Sequence, residues 1–164
     1  EITRGRIRAP FFQRGKRLGN GNARSKFNVD KGLVKRTLDG IVFDSELEMR
    51  YYRDVILPGI GSGSIVECKL QEPYILQPKF THEGKTVLPI KYVADFDVTY
   101  ADGREEVIDV KGMADTTAKL KRKLFWYVFP DLPYRWVSYS AKDGGWVDYD
   151  DLQRLRRERK KLKS

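Results

Sequence analysis

The sequence predicts an α/β protein in which a mixed sheet is flanked by helices. Helical periodicity covers residues 45–57 and 117–129, and a strand–turn–strand pattern lies between them at residues 92–112. A further strand rich in aromatic residues and valine is expected at 133–139. With 164 residues, 40% of them hydrophobic, the chain is long enough to form one domain with a core.

Charge is distributed unevenly along the chain. Residues 1–38 contain eleven Lys and Arg against two acidic residues, and residues 153–164 contain seven against one. We therefore divide the chain into a basic N-terminal arm (1–37), a central domain (38–150) and a basic C-terminal helix or tail (151–164). Basic segments around an acidic domain suit a polyanionic ligand. The alternative is that the tails only maintain solubility.

Composition excludes several kinds of site. Cys68 is the only cysteine, so a disulfide framework and a cysteine-based zinc site are excluded. His82 is the only histidine, which argues against a Ser-His-Asp triad. No apolar run approaches the ~20 residues of a membrane span, and no signal-peptide pattern is visible. We expect a cytoplasmic protein that does not bind membranes.

The N-terminal arm lacks a sustained period of either 2 or 3.6 residues. We expect most of it to be disordered, or ordered only on binding. Its cations, among them Arg14, Lys16 and Arg17, occur close to Phe11 and Phe12. Such side chains can neutralise phosphates and stack on bases, so the arm is a candidate DNA-binding segment. It could equally wrap a partner subunit.

The first helix is predicted to begin at Ser45, with Glu48 completing a capping box. Glu48 lies at the edge of the apolar stripe, whereas Glu46 points nearly the opposite way. Glu48 is therefore the carboxylate that can reach the sheet, although capping alone would also explain it. Residues 58–64 are rich in Gly and Ser and predict a flexible loop that could act as a lid.

The hairpin at residues 92–112 follows the strand pattern closely. Strict alternation places five residues on one face: Tyr92, Ala94, Phe96, Val98 and Tyr100. Asp95 and Asp97 share the other face. A three-residue turn with a left-handed Gly103 places Asp95 opposite Asp109, whereas a two-residue turn would send these two carboxylates to opposite faces.

Two opposed carboxylates destabilise a hairpin unless something compensates for their charge. A divalent cation between Asp95 and Asp109 would do so, and Lys111 adds a positive charge on the same face. Such an arrangement is typical of metal-dependent nucleases. Asp97 is a supporting acid, or the true ligand if the register differs. Alternatively, the acids face water and Lys111 forms an ordinary cross-strand salt bridge.

The second helix, 117–129, has an apolar stripe that we expect to be buried, formed by Leu120, Leu124, Tyr127 and Val128. The remaining sides carry four cations: Lys119, Lys121, Arg122 and Lys123. These cations suggest a track for a phosphate backbone, with a solvated basic face as the alternative. A basic helix is also expected from about residue 150.

The pattern Asp95-x(13)-Asp109-x-Lys111 resembles the PD-(D/E)XK nuclease superfamily, with Asp in place of Glu in the last motif and Ala94 in place of Pro. Five ordered segments carry a narrower resemblance: FDSELE, YILQPKF, YVADF, IDVKG and KLKRKLF. They span about residues 38–130. In this order they resemble a phage-encoded endonuclease group related to Holliday junction resolvases.

The resemblance implies a restriction-endonuclease-like fold with an αβββαβ core. It implies that Mg²⁺, or Mn²⁺, is bound by three carboxylates and one backbone carbonyl: Glu48, Asp95, Asp109 and Val110. Lys111 would orient or help deprotonate the attacking water. Gln77, in the family's QPxF pattern, could hydrogen-bond a phosphate or a metal-bound water, or could form a plain cross-strand hydrogen bond. Lys121 and Lys123 match the family's KxK pattern.

The expected function is metal-dependent hydrolysis of phosphodiester bonds in branched DNA. A homodimer acting on a four-way junction, as a Holliday junction resolvase in a bacterial or phage-infected cell, is the first expectation. One alternative is an endonuclease for flaps, single strands or transposon-type ends. A different class of alternative is a non-catalytic DNA-binding factor.

Overall fold

A computed structural model describes residues 34–163 of the chain. Arg14, Lys16 and Arg17, with the rest of residues 1–33, lie outside the described residues. The described chain begins with a short antiparallel hairpin of β1 (Thr37–Leu38) and β2 (Ile41–Val42). None of the helices between residues 34 and 163 has both the length and the apolar character needed to span a bilayer.

The first helical region is longer than predicted. Helix α1 (Glu46–Tyr51) continues through a π-helical segment (Tyr52–Ile56) into helix α2 (Leu57–Ser62), which ends at a left-handed Gly63. The predicted flexible loop at 58–64 is therefore wrong for most of its length. Pro58 lies in the first turn of α2, directly after the π-helical segment, so the backbone N–H that it lacks falls where the regular α-helical ladder is already interrupted. A Cβ at Gly59 would lie 2.5 Å from Ile65 Cδ1, so this glycine permits close packing.

The sheet has five strands in the order β3-β6-β7-β8-β9. Its strands are β3 (Ile65–Gln77), β6 (Ile90–Tyr100), β7 (Glu105–Val110), β8 (Tyr134–Ser140) and β9 (Gly145–Asp148). Only β7 and β8 among these neighbours run parallel, because helix α3 (Thr116–Val128) connects them. A hairpin of β4 (Phe80–His82) and β5 (Lys85–Val87) joins β3 to β6. This confirms the predicted α/β fold, a mixed sheet with flanking helices, consistent with a restriction-endonuclease-like architecture.

Helices cover both faces of the sheet. Residues of α1 and of the π-helical segment, including Tyr51, Tyr52 and Ile56, pack on one face in a first core cluster. Helix α3 and helix α4 (Tyr149–Lys161) form a second cluster on the other face through Phe125 and Tyr149. The boundary predicted at 150 and 151 falls inside α4, whose Tyr149 and Leu152 are both buried.

The buried residues of β6 pack in different core clusters before and after Asp95. Phe96 and Val98 belong to the first cluster, whereas Tyr92 and Ala94, in the same alternating set, belong to the second. Gln71 lies opposite Asp95, between the pairs Leu70↔Phe96 and Glu72↔Ala94, and has φ of +57°. The alternation of burial along β6 is as predicted, but the expectation of a single face is wrong, because the strand pair rotates sharply at Asp95.

Helix α3 is rotated relative to the prediction. Phe125 is completely buried, with Ala118 and Phe129 partly buried beside it, and its ring contacts Tyr92 and Tyr134 of the sheet. Most of the predicted stripe instead faces solvent: Leu120, Tyr127 and Val128 are exposed, and Leu124 is half-buried. The aromatic contacts of Phe125 outweigh the aliphatic periodicity that the prediction followed.

Candidate active site

The turn between β6 and β7 has the predicted length. The amide of Tyr100 donates to the carbonyl of Arg104 at 2.8 Å, and Gly103 has φ of +83°. The ladder pairs Asp97 with Val107 and ends at Phe96 and Ile108. This confirms the three-residue turn and the predicted register along the paired part of the hairpin.

Beyond that last pair the two strands separate, and Asp95 fills the gap. Its Oδ2 accepts a hydrogen bond of 2.7 Å from the backbone amide of Val110. By the alternation of an antiparallel ladder, that amide would otherwise donate to the carbonyl of Ala94. Asp109 is meanwhile paired with Trp136 of β8. The carboxylate of Asp95 therefore lies between β6 and β7, next to the part of β7 that contains Asp109 and Val110.

Asp95 carries the strongest electrostatic signature among the candidate acids. Burial raises its pKa to about 8, and the negative charges of Asp109 and Glu48 contribute in the same direction. The hydrogen bond from Val110 and the charge of Lys111 lower the pKa but do not cancel these effects. With this pKa, Asp95 is largely protonated at neutral pH when no cation is bound.

Asp109 is the most deeply buried of these acids, with 1% of its surface exposed. The Lys111 ammonium forms an ion pair with its Oδ2, yet that oxygen has no hydrogen bond of acceptable geometry. The hydroxyl of Tyr92 is also buried without a hydrogen bond, and its interaction with Asp109 contributes to the raised pKa of Tyr92, for which burial is the main cause. Asp109 is thus a buried carboxylate whose charge is compensated by the Lys111 ammonium.

Lys111 is held by the strand that follows α3. Its backbone amide donates to Val137 at 2.8 Å, and its carbonyl accepts a hydrogen bond from the hydroxyl of Ser138. The Lys111 ammonium lies 5.7 Å from the centre of the Trp136 ring. Since the side chain is only partly exposed, these contacts fix its ammonium beside Asp109.

Glu48 has both of the roles considered from the sequence. Its amide donates to Ser45 Oγ at 3.1 Å, while its carboxylate accepts from Ser45 Oγ at 2.7 Å and from the amide of Asp44 at 3.2 Å. The residue is 7% exposed, and burial raises its pKa, with the charge of Asp109 among the lesser contributions. Glu46 is exposed. The capping box therefore directs Glu48, and not Glu46, toward the carboxylates of the sheet.

The carboxylates of Glu48 and Asp109, which are buried, and of Asp95, which is partly buried, thus interact electrostatically where β6, β7 and the start of α1 meet. Between residues 34 and 163, no group of three or more His, Cys, Asp or Glu side chains has its donor atoms gathered as metal ligands. Here the Lys111 ammonium and the Val110 amide offset part of the negative charge. The donors still suit a hard cation, because carboxylate oxygens are its preferred ligands.

Two other predicted residues have different neighbours. The hydroxyl of Tyr74 donates to Asp97 Oδ2 at 2.5 Å, so Asp97 lies toward the second cluster. Gln77 donates to the carbonyl of Pro78 and pairs with Ile90 at the far end of β6. The described contacts bring neither residue to the three carboxylates.

The cations of α3 separate into different groups. Lys119 and Lys123, one turn apart, are exposed on the same side, whereas Lys121 is half-buried on another side. Arg122, predicted to be exposed, is stacked on the rings of Trp126 and Trp136 at 4.5 and 4.3 Å. It also forms a bidentate ion pair with Asp150 of α4 at 3.1 and 2.6 Å.

Sequence reasoning missed the supporting residues of the site. Tyr92 follows the pattern of an ordinary core residue, and Trp136, in the aromatic strand expected at 133–139, has no local feature that places it beside Lys111. No local sequence pattern distinguishes Arg122 from the neighbouring lysines. Each role depends on contacts between segments far apart in the chain, which periodicity does not encode.

A family model described as "Protein of unknown function (DUF1064)" matches residues 24–145. The matched segment contains Glu48, Asp95, Asp109 and Lys111. No curated protein matches the chain.

Proposed function

This chain belongs to the DUF1064 family, and we propose that it is a divalent-metal-dependent endonuclease that hydrolyses phosphodiester bonds in DNA. The observation that carries the proposal is the electrostatic interaction of the Glu48, Asp95 and Asp109 carboxylates beside the Lys111 ammonium. Burial, together with the negative charges of Asp109 and Glu48, raises the pKa of Asp95 to about 8, and acids perturbed in this way cluster at functional sites.

Glu48, Asp95 and Asp109 would hold Mg²⁺, or Mn²⁺ in its place, and the resemblance adds the backbone carbonyl of Val110. The fit is supported by the hard oxygen donors of all three side chains and by the burial of Asp109, whose charge Lys111 compensates. A bound cation of this kind polarises the scissile phosphate and lowers the pKa of the attacking water.

Lys111 would offset the negative charge that grows on the phosphate oxygens during attack. Its ammonium is prepositioned, since Asp109 pairs with it and Trp136 lies beside it. The backbone of Lys111 is fixed by Val137 and Ser138, so little rearrangement is needed to present the charge. This preorganisation supports a role for Lys111 in catalysis as well as in stability.

DNA is the proposed substrate because exposed cations are concentrated on α3 and α4, the two helices that pack on the same face of the sheet. Lys119 and Lys123 are exposed on α3, and α4 carries a series of Arg and Lys beyond its buried first turn. Phosphate contacts by such side chains bind DNA without regard to sequence. We propose branched DNA, a four-way junction cut by a homodimer in a reducing cytoplasm, with flap or single-strand cleavage as the alternative.

The test is a cleavage assay with the full chain and Asp109→Asn. Each protein is incubated with a four-way junction, a flap, a blunt duplex and a single strand, in Mg²⁺ and in EDTA. Asp131→Asn, at an exposed acid beyond α3, is the matched control. We expect cleavage that requires Mg²⁺ and falls at least about 100-fold in Asp109→Asn while DNA binding persists. DNA binding without cleavage of any substrate would overturn the nuclease proposal.

A further inference from the structure

Helix α3 has an exposed face that combines aromatic and cationic side chains. Tyr127 is 85% exposed, Leu120 56% and Trp126 45%. At about 100° per residue these three positions and Lys119 and Lys123 fall within one arc of about 120°, opposite the buried Phe125. We call the surface formed by these five residues the α3 outer face.

The α3 outer face is unusual for the surface of a helix that packs on a sheet. Two large aromatic rings and a leucine face solvent, although exposing them costs free energy that burial would recover. Lysines lie between these apolar side chains. A face of this kind suits a ligand that presents both flat apolar surfaces and negative charge.

The outer face is connected to the carboxylate site by three successive contacts. The Lys111 ammonium lies 5.7 Å from the Trp136 ring, the Arg122 guanidinium lies 4.3 Å from the same ring, and Trp126 lies 4.5 Å from that guanidinium. The distance from the Lys111 ammonium to the Trp126 ring therefore cannot exceed the sum of these three distances. A few nucleotides of one DNA strand would cover that distance.

We propose that the α3 outer face binds unpaired nucleotides of DNA next to the site of cleavage. The rings of Tyr127 and Trp126 stack on bases, and Lys119 and Lys123 contact the adjoining phosphates. One face of Trp126 is already supported by Arg122, which holds the ring in place. The placement next to cleavage rests on the nuclease function proposed above, and the binding itself does not.

Nucleic acid is favoured over a second copy of this chain because of charge. In a symmetric pairing through this face, Lys119 and Lys123 would meet the same lysines of the other copy, which is unfavourable. A polyanion would instead neutralise the charges of Lys119 and Lys123. Duplex DNA keeps its bases stacked inside, so exposed rings add nothing to its binding. The proposed substrate class is therefore DNA with single-stranded segments, such as flaps or open junctions.

The proposal is tested by DNA binding of the full chain in EDTA, where the proposed cleavage cannot occur. The probes are a fluorescein-labelled oligothymidylate of about 15 nucleotides and a blunt duplex of the same length. Tyr127→Leu keeps an apolar side chain but removes the ring, and Phe80→Leu on the β4–β5 hairpin is the matched control. We expect Tyr127→Leu to weaken binding of the single strand about 5- to 100-fold and to leave duplex binding unchanged.

A second variant pair tests the phosphate contacts. Replacing Lys119 and Lys123 together with Gln should reduce the slope of log affinity against log salt by about 0.7 for each lost contact on single strands. Lys85→Gln, on β5, should leave that slope unchanged. These substitutions are at exposed positions, so the melting temperature should stay the same. Unfolding would then not account for a loss of DNA binding.

Two results would overturn the proposal. One is single-strand affinity that is unchanged in both Tyr127→Leu and the double lysine variant. The other is a lower sedimentation mass in Tyr127→Leu with unaltered DNA binding, which would assign the face to a second copy. The nuclease proposal fails separately, since it is judged by cleavage in Mg²⁺, whereas this one is judged by binding in EDTA.

Discussion

The carboxylate of Asp95 accepts a hydrogen bond from the backbone amide of Val110, at 2.7 Å, where the ladder between β6 and β7 has ended. A side chain thus takes the place of a backbone carbonyl at the point where the strands diverge. The exchange draws a carboxyl group into the sheet beside Asp109, and burial there raises the pKa of Asp95 to about 8. The local break in the sheet and the proposed metal site are therefore one feature.

The raised pKa of Asp95 makes stability depend on pH. Because the folded protein binds this proton more tightly than the unfolded chain, its contribution is complete below the ordinary pKa of 3.8 and is lost as pH rises through about 8. In EDTA, the free energy of unfolding should fall between about pH 5 and pH 9, and fall less in Asp95→Asn. Urea unfolding at both pH values measures this.

Mg²⁺ should oppose this loss of stability at high pH, because the carboxyl groups must lose their protons before they bind the metal. Its stabilising effect on the wild-type protein is therefore expected to be larger at the higher pH. Parallel pH profiles for the wild-type protein and Asp95→Asn would contradict this assignment of the proton.

The two roles of Glu48 can be separated by substitution. Gln also completes a capping box, so Glu48→Gln should change the melting temperature little while it lowers Mg²⁺-dependent cleavage at least about 100-fold. Ser45→Ala removes the cap and should cost about 1 kcal/mol of stability, with a smaller loss of cleavage than Glu48→Gln, because it removes only one of the hydrogen bonds that orient the Glu48 carboxylate. Thermal unfolding and cleavage rates measured on both variants distinguish the roles. Cleavage that is unchanged in Glu48→Gln would leave Glu48 as a cap alone.

A substitution at Lys111 can separate the effect of its charge from the effect of its packing. Lys111→Met keeps much of the side-chain volume near Trp136 but leaves Asp109 without its ion pair. We expect cleavage to fall by about 100-fold or more, as when a group that stabilises a transition state is removed, with DNA affinity changed far less. Single-turnover cleavage with saturating protein measures the rate. A loss that disappears at saturating protein would show that Lys111 contributes to binding only.

The helical conformation of residues 57–62 predicts opposite effects at two glycines. Gly61 has open space at its Cβ position, so Gly61→Ala should stabilise the protein by about 0.5–1 kcal/mol through helix propensity. A Cβ at Gly59 would collide with Ile65, so Gly59→Ala should destabilise it. Chemical denaturation of both variants tests this. Equal, small effects would favour the flexible loop that composition suggested.

Local sequence patterns suffice to predict the order of elements, the capping box at Ser45 and the three-residue turn that sets the register of the hairpin. These features depend on local rules: turn geometry, side-chain alternation and the reach of a carboxylate at the start of a helix. The same rules therefore single out Glu48, Asp95, Asp109 and Lys111 as one group of candidate residues.

Which face of each element is used depends instead on tertiary packing. The rotation of β6 at Asp95 depends on Gln71 in the neighbouring strand, and the orientation of α3 depends on the fit of Phe125 against Tyr92 and Tyr134. Arg122 is withdrawn from the surface by Asp150, a residue 28 positions away. Contacts between distant segments set these outcomes, because burial and charge compensation are properties of the assembled chain.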